Sequence, residues 1–206
     1  DSTAKIIDRE ITGHENFYLI QNKEKKYALK NMEDTLNEVQ PDDEDIIVIL
    51  DGDDWLASPT VLETLEKVYR EEDCWMTYGS YMEYPQGNRG KFAKQIPREI
   101  IEKNSYRESE WMSSHLRTFK YKLWKKIDTR DFIFSKTRKH VKAAWDLAFV
   151  FPMLEMSGHK AKFVPDILHI YNRQNPLNED KVDHSIQLGE EQEVRSKRKY
   201  TLLEAL

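Results

Sequence analysis

The stretch Ile46–Asp54 constrains the fold of this chain more than any other. Five consecutive aliphatic residues, Ile46–Leu50, run directly into a sequence DGDD, which we call the acidic turn (Asp51–Asp54). An unbroken aliphatic run of this length predicts a strand buried on both faces, as in a parallel sheet covered by helices. Ligand sites in open α/β sheets lie at the carboxyl ends of strands, which is where these carboxylates stand.

The acidic turn predicts a site for a hard divalent cation. Asp51, Asp53 and Asp54 repel one another, and Mg²⁺ or Mn²⁺ takes oxygen ligands and supplies the missing counter-charge. Gly52 keeps side-chain bulk away, so that a ligand can approach the backbone closely. The alternative interpretation is a polar turn that only caps the following helix, although such a turn does not need three acids.

The pattern around the acidic turn predicts an α/β fold in a single domain of 206 residues. We expect a helix over residues 1–12, a strand over 16–21, a helix over 27–39, the central strand, a helix over about 58–72 and a strand over 74–81. This alternation predicts a three-layer α/β/α sandwich around a mostly parallel mixed sheet.

The second half of the chain predicts a loop over 84–98, a short helix over 97–103, a long apolar helix over 141–156, an extended segment over 162–171 and a charged helix over 184–199. Pro152 should kink or split the apolar helix, and Gly158 should end it. Pro165 indicates an edge or a bend in the extended segment.

Asp146 stands out because it lies inside the apolar helix. A carboxylate there needs a partner, or it is partly desolvated and suited to act as a general base. The alternatives are a helix N-cap or a salt-bridged structural residue. The segment Glu110–Phe119 also has two interpretations. Its mixture of aromatic, hydroxyl, His and Arg side chains fits either a partly buried connecting segment or a wall of the site.

Composition excludes several classes of function. A net charge of −5 argues against a general nucleic-acid binder. The single Cys74 excludes a disulfide framework and predicts a buried thiol. No stretch reaches the ~18 apolar residues of a membrane span, and no signal peptide opens the chain, so we expect a soluble, cytoplasmic protein.

Five segments together resemble the inverting nucleotide-sugar glycosyltransferases of family 2, which have the GT-A (Rossmann-like) fold. They are STAKII, LIQNKEKKYALKN, IIVILDGDDWL, WDLAF and YNRQNPLN, in that order along nearly the whole chain. The similarity is greatest to a branch known from bacteria and large DNA viruses. If the protein is viral, its expected location is the host cytoplasm.

The resemblance implies roles for individual residues. Asp53 would bind the Mn²⁺ or Mg²⁺ ion that bridges the diphosphate of a donor such as a UDP-sugar, and Asp51 would face the ribose or the metal. Asp146 would be the catalytic base that takes the proton of the acceptor hydroxyl. Lys30 and Arg173 would approach the donor phosphates, although a solvated helix lysine is the simpler interpretation of Lys30. Candidate pocket walls are Trp55, His115, Arg117, Trp145 and His169.

The resemblance also implies a division of the chain and its partners. Residues 1–83 would form the nucleotide-sugar-binding part and residues 84–206 the acceptor-side part, with a glycan, glycolipid or protein as acceptor. Family members normally begin with a strand, a helix and a second strand that help to hold the base, about 40 to 50 residues that this sequence does not contain. We therefore expect that unit to belong to a longer protein or to a second chain.

Two other functions fit an Asp-x-Asp after a hydrophobic strand. In a haloacid-dehalogenase-like phosphatase, Asp51 would be the nucleophile and Asp53 the acid, but Trp55 occupies the place of the expected Thr or Val. A non-catalytic cation-binding or sugar-binding module would use the acids only to hold Ca²⁺, but the acidic turn lacks the spaced oxygen ligands of an EF-hand loop.

Overall fold

The computed structural model describes residues 2–176 and 184–206, and the chain divides into two compact units, Asp1–Gln40 and Pro41–Leu206. The first unit contains helices α1 (Thr3–Ile11) and α2 (Tyr27–Val39), both where the sequence predicts them. The predicted strand over 16–21 is wrong. Its aromatic residues Phe17 and Tyr18 are 61% and 83% exposed, and the described residues of this unit contain no strand that could pair with it.

The second unit contains eight strands and five helices in its described residues. The strands are β1 (Ile46–Ile49), β2 (Trp55–Leu56), β3 (Met76–Tyr84), β4 (Asn88–Arg89), β5 (Arg117–Lys120), β6 (Ile133–Phe134), β7 (Lys139–His140) and β8 (Ala161–Asn172). The helices are α3 (Val61–Glu71), α4 (Arg98–Glu102), α5 (Tyr121–Trp124), α6 (Trp145–Ser157) and α7 (His184–Ser196), with 3₁₀ turns at Thr129–Phe132 and Gly158–Lys160.

The main sheet has the order β1-β5-β3-β8-β2, with β4 paired to β3 as a hairpin. The chain is therefore a mixed α/β protein, but the prediction of a mostly parallel sheet is wrong. Among the described strand pairs only β3 and β8 run parallel, since β5 inserts antiparallel between β1 and β3. The register between β3 and β8 shifts near Pro165, because Gly79 pairs with Val164 whereas Ser80 pairs with Ile167, and it shifts again between Ser80 and Tyr81.

Strand β1 occupies one end of this order and pairs with β5. The prediction that it is buried on both faces is therefore wrong: all four of its residues are half-buried, and the following Leu50 is 42% exposed. The aliphatic run still has a packing role, because Val48 contacts a cluster of buried residues that includes Leu65 of α3 and Leu168 of β8.

Helix α6 forms the centre of the second unit. Its residues from Leu147 to Ser157 are all buried, as its apolar sequence predicts. Pro152 lies inside the helix without splitting it, and Gly158 ends it at φ +52°, a left-handed value that favours glycine. A Cβ on Gly158 would stand 2.6 Å from Cδ1 of Leu202, so the C-terminal segment also packs closely at this helix end.

A buried ion pair joins α6 to the segments around it. Arg107 donates to both carboxylate oxygens of Glu155 at 2.5 and 2.8 Å, and the two side chains are 2% and 0% exposed. The Nη1 of Arg107 also donates to the carbonyl of Val194 on α7, and Glu155 accepts the N–H of Tyr200. Neighbouring hydrogen bonds satisfy both charges, as a buried pair requires.

Cys74 is buried, as predicted. None of the helices in the described parts of the chain has the length and apolar content needed to cross a bilayer.

Candidate active site

The acidic turn follows β1 directly and is closed by a backbone hydrogen bond from the N–H of Asp54 to the carbonyl of Asp51, at 3.1 Å. Strand β2 comes next and pairs with β8, so that the turn lies beside the carboxyl end of β8. A Cβ placed on Gly52 would meet no atom within 4 Å. The backbone of the turn is therefore open at Gly52, as the sequence predicts.

Asp54 holds the acidic turn to β8. Its Oδ2 lies 2.7 Å from Nε2 of His169, and its Oδ1 accepts the backbone N–H of Asn172 at 2.8 Å. The side chains of Asp54 and His169 are both fully buried. This pair therefore forms one buried hydrogen bond between the acidic turn and β8. Asp54 is thus committed to the fold, a role that the sequence does not reveal.

The other two carboxylates of the turn are less constrained. Asp53 accepts a hydrogen bond from Nδ2 of Asn175 at 2.6 Å. Burial raises the pKa of the Asp51 carboxyl above its usual value, the positive charge of Arg117 opposes that shift, and Asp54 adds to it. No side chain in the described residues donates a hydrogen bond to Asp51. A positive ion at this position would therefore offset a desolvated negative charge.

Strand register places Arg117 close to the acidic turn. In the antiparallel pair of β1 and β5, Arg117 stands opposite Ile49, two residues before Asp51. Its Nη2 donates to Oδ2 of Asp146 at 2.7 Å, and its Nε donates to the carbonyl of Ser113 at 3.2 Å. Asp146 lies in the first turn of α6, and its side chain is 19% exposed. It is salt-bridged to Arg117 and is not the N-cap, because that position is occupied by Ala144.

Two indole rings flank the Arg117 guanidinium. Its Cζ lies 6.0 Å from the ring centroids of both Trp111 and Trp145, within cation–π range. Trp111 also packs edge-on against Phe151, and Trp145 stacks on Phe149, so both rings are fixed by helix α6. Both rings therefore help to hold the guanidinium in place.

Arg117 and Asp146 line a cleft of about 470 Å³. The cleft wall combines aromatic side chains, including Tyr81, Trp111 and Tyr171, with charged ones, including Arg173 and Arg195. Arg173 lies over the ring of Tyr171, with Cζ 5.7 Å from its centroid. Aromatic faces beside polar hydrogen-bonding groups suit a ligand that has both ring faces and hydroxyl or phosphate groups.

His115 forms part of the same wall. Its ring stacks on His169 and on Tyr171, with centroids 4.6 and 5.6 Å away. Burial lowers the pKa of His115 well below its usual value, and the nearby charges of Arg117 and His169 lower it further. The ring is therefore neutral at pH 7 and presents an uncharged face to the cleft.

Helix α7 supplies another wall through Gln187, Glu191 and Arg195. Glu190 on the same helix is 2% exposed, and its carboxylate accepts the backbone N–H groups of Lys142, Ala143 and Ala144. These are the amides that directly precede α6, where a negative charge is favourable. Glu190 thus fixes the start of the helix that carries Asp146.

The structure separates the predicted site residues into groups. One cleft is lined by four of them, His115, Arg117, Asp146 and Arg173. Trp145 does not line the cleft itself, but its ring centroid lies 6.0 Å from the Cζ of Arg117. His169 is a core residue behind His115. Asp51 and Asp53 lie in the acidic turn and are not among the residues that line this cleft. Trp55 is 40% exposed and packs on Tyr84, and Lys30 belongs to the first unit, where it pairs with Asp34 on α2.

Sequence reasoning did not single out Trp111 or Glu190 as members of this region. Trp111 lies in the segment Glu110–Phe119, whose mixed composition is the only local signal. Glu190 lies in a charged helix, where a glutamate usually faces solvent.

Within residues 2–176 and 184–206, no three His, Cys, Asp or Glu side chains converge to form a metal site by themselves. The donor set nevertheless fits Mg²⁺ or Mn²⁺, which proteins often hold through one or two carboxylates together with substrate phosphates. No protein-family model matches this chain, and no curated protein matches it.

Proposed function

We propose that this chain is an inverting glycosyltransferase of the GT-A type that depends on a divalent metal. It would move a sugar, typically a hexose, from a nucleotide-diphosphate donor such as a UDP-sugar to a hydroxyl of a glycan, glycolipid or protein. The main support is the position of Arg117, which lies beside the acidic turn and also binds Asp146 in the cleft. One side chain thus joins the proposed donor side to the proposed base.

The donor side of the proposal rests on Asp51 and Asp53. They would hold Mn²⁺ or Mg²⁺, which when bound stabilises the negative charge on the departing diphosphate as a Lewis acid. Asp54 is excluded from that role because His169 and Asn172 occupy its oxygens. The open backbone at Gly52 leaves room for the diphosphate to approach the turn.

The acceptor side rests on Asp146. Its carboxylate would take the proton of the acceptor hydroxyl as that oxygen bonds to the anomeric carbon. At the same time the bond between the anomeric carbon and the phosphate oxygen breaks, and its electron pair leaves with the nucleoside diphosphate. A single displacement of this kind inverts the anomeric configuration and needs no covalent enzyme intermediate.

The proposal is tested by release of UDP from a panel of UDP-sugars with and without Mn²⁺. Metal-dependent release is expected, because transferases often transfer the sugar slowly to water. Asp53→Ala should abolish it, Asp146→Asn should abolish it while UDP binding by calorimetry is retained, and Asp73→Ala and Asp73→Asn, at an exposed aspartate, should change neither.

Other results would replace this proposal. Preferential hydrolysis of phosphomonoesters would favour the phosphatase, and Ca²⁺ or sugar binding without turnover would favour the non-catalytic module. A rate for Asp146→Asn equal to that of the unaltered protein would remove Asp146 as the base.

A further inference from the structure

We propose that Arg117 is the positioning residue of this site, which orients the Asp146 carboxylate for proton transfer. The inference deepens the proposed function and rests on it, because the base role of Asp146 belongs to that function. The argument depends on how firmly Arg117 is held, on how Asp146 is held, and on what lies on the other side of Arg117.

Arg117 is held as a rigid group. The side chain is 4% exposed, two indole rings flank the guanidinium, and Nε is fixed on the carbonyl of Ser113. A planar guanidinium with several constrained N–H groups defines directions in space, which a flexible ammonium does not. The Nη2–H that meets Asp146 is therefore aimed before any ligand binds.

The orientation of Asp146 depends on this contact. Among the described residues, its Oδ2 accepts from Arg117 and its Oδ1 accepts from the backbone N–H of Leu147 at 2.9 Å. The Leu147 contact comes from the adjacent residue and constrains the side chain weakly. Without Arg117, the partly exposed carboxylate is free to turn toward water and away from the acceptor oxygen.

Arg117 also fixes the spacing between the two halves of the site. Its place opposite Ile49 ties it to the strand that ends in the acidic turn, whereas Asp146 belongs to helix α6. The ion pair therefore sets the position of the base relative to Asp51 and Asp53. Misplacement of a reacting group by about 1 Å can reduce a rate about 100-fold.

The first test compares Arg117→Met and Arg117→Lys in metal-dependent UDP-sugar turnover. We expect kcat of Arg117→Met to fall about 100-fold with little change in the donor KM, as for a misplaced catalytic group. The kcat of Arg117→Lys should fall less, because an ammonium group keeps the positive charge but lacks the planar, forked set of N–H donors of a guanidinium. Arg98→Met removes an exposed arginine on α4 and should leave both constants unchanged.

The second test asks whether Arg117 acts through Asp146. Arg117→Ala leaves a space beside Trp111 and Trp145 where the guanidinium group stood, and guanidinium ion at concentrations well below the unfolding range should restore part of kcat. The same addition should restore nothing in the double variant Arg117→Ala/Asp146→Asn, because its target is absent. Circular dichroism and thermal melting show whether each variant is folded, and if Arg117→Ala is not folded the role is tested by the kcat comparison of Arg117→Met with Arg117→Lys.

The outcomes distinguish this proposal from the proposed function. If the unaltered protein turns over no UDP-sugar, both fail together. If it is active and metal-dependent but Arg117→Met keeps its kcat, the positioning role fails and the function stands. A higher donor KM at unchanged kcat, or rescue that persists without the Asp146 carboxylate, would also overturn the role, because Arg117 would then bind a ligand directly.

Discussion

Substitution by alanine should lower the unfolding free energy more at Asp54 than at the neighbouring Asp53. Asp54→Ala would leave the fully buried Nε2 of His169 without its partner and would remove the partly buried hydrogen bond from the N–H of Asn172. The orphaned His169 nitrogen costs about 1–3 kcal/mol and the lost hydrogen bond of Asn172 about 0.5–1.5 kcal/mol, so the loss of unfolding free energy should be about 1.5–4.5 kcal/mol. Asp53→Ala removes one hydrogen bond from Asn175 at a half-buried position, which corresponds to about 0.5–1.5 kcal/mol.

The assay is urea unfolding followed by tryptophan fluorescence and by circular dichroism, with the free energy extrapolated to water. Asp54→Asn gives an intermediate case, since its amide oxygen can still accept the N–H of Asn172. Asp53→Ala should combine near-normal stability with loss of metal-supported turnover. If Asp54→Ala unfolds at the same urea concentration as Asp53→Ala, the assignment of Asp54 to the fold is wrong.

Three further predictions concern the fold and the open turn. Glu155→Gln breaks the buried pair with Arg107 and should lower the unfolding free energy by about 3–5 kcal/mol in urea titrations, whereas Glu102→Gln at an exposed pair should give no measurable change. Gly52→Ala should melt like the unaltered protein, because its Cβ meets no atom, yet lose UDP-sugar turnover if the diphosphate lies against the turn. Burial raises the pKa of the Cys74 thiol from its ordinary 9.0 to about 12, so the unfolded chain loses this proton first. Stability should therefore fall as pH rises from about 9 toward 12, and this fall should be smaller in Cys74→Ala.

The helices were predictable because their evidence is local. Helix α2 begins and ends at the predicted residues, Tyr27 and Val39, and the buried helix α6 follows from an uninterrupted apolar sequence. Local periodicity is sufficient in both cases, since each helix makes its backbone hydrogen bonds within itself.

The sheet was only partly predictable because strand direction depends on distant partners. Strand β5 has four residues, RTFK, with no clean alternation, and its insertion between β1 and β3 decides that β1 pairs antiparallel. The aliphatic run of β1 correctly predicts a strand but not its place at one end of the sheet. No property of residues 46–50 alone encodes that place.

The candidate site shows the same limit. The acidic turn and Asp146 were identified from unusual local chemistry, namely carboxylates beside apolar runs. Their connection through Arg117 was not, because Arg117 and Asp146 are 29 positions apart and meet only in the folded chain. The partner of Asp54 is still more distant, at 115 positions.

Neighbouring glutamates on helix α7 have different tasks: Glu190 binds the amides before α6, and Glu191 faces the cleft together with Gln187 and Arg195. These three cleft residues recur every fourth position and so form one stripe along the helix. Each added residue turns a helix by about 100°. Insertion of a single alanine after Glu190 would leave Glu190 on the amides before α6 but would rotate Glu191 and Arg195 out of the cleft. The number of residues between Glu190 and Arg195 therefore determines which side chains of α7 face the cleft.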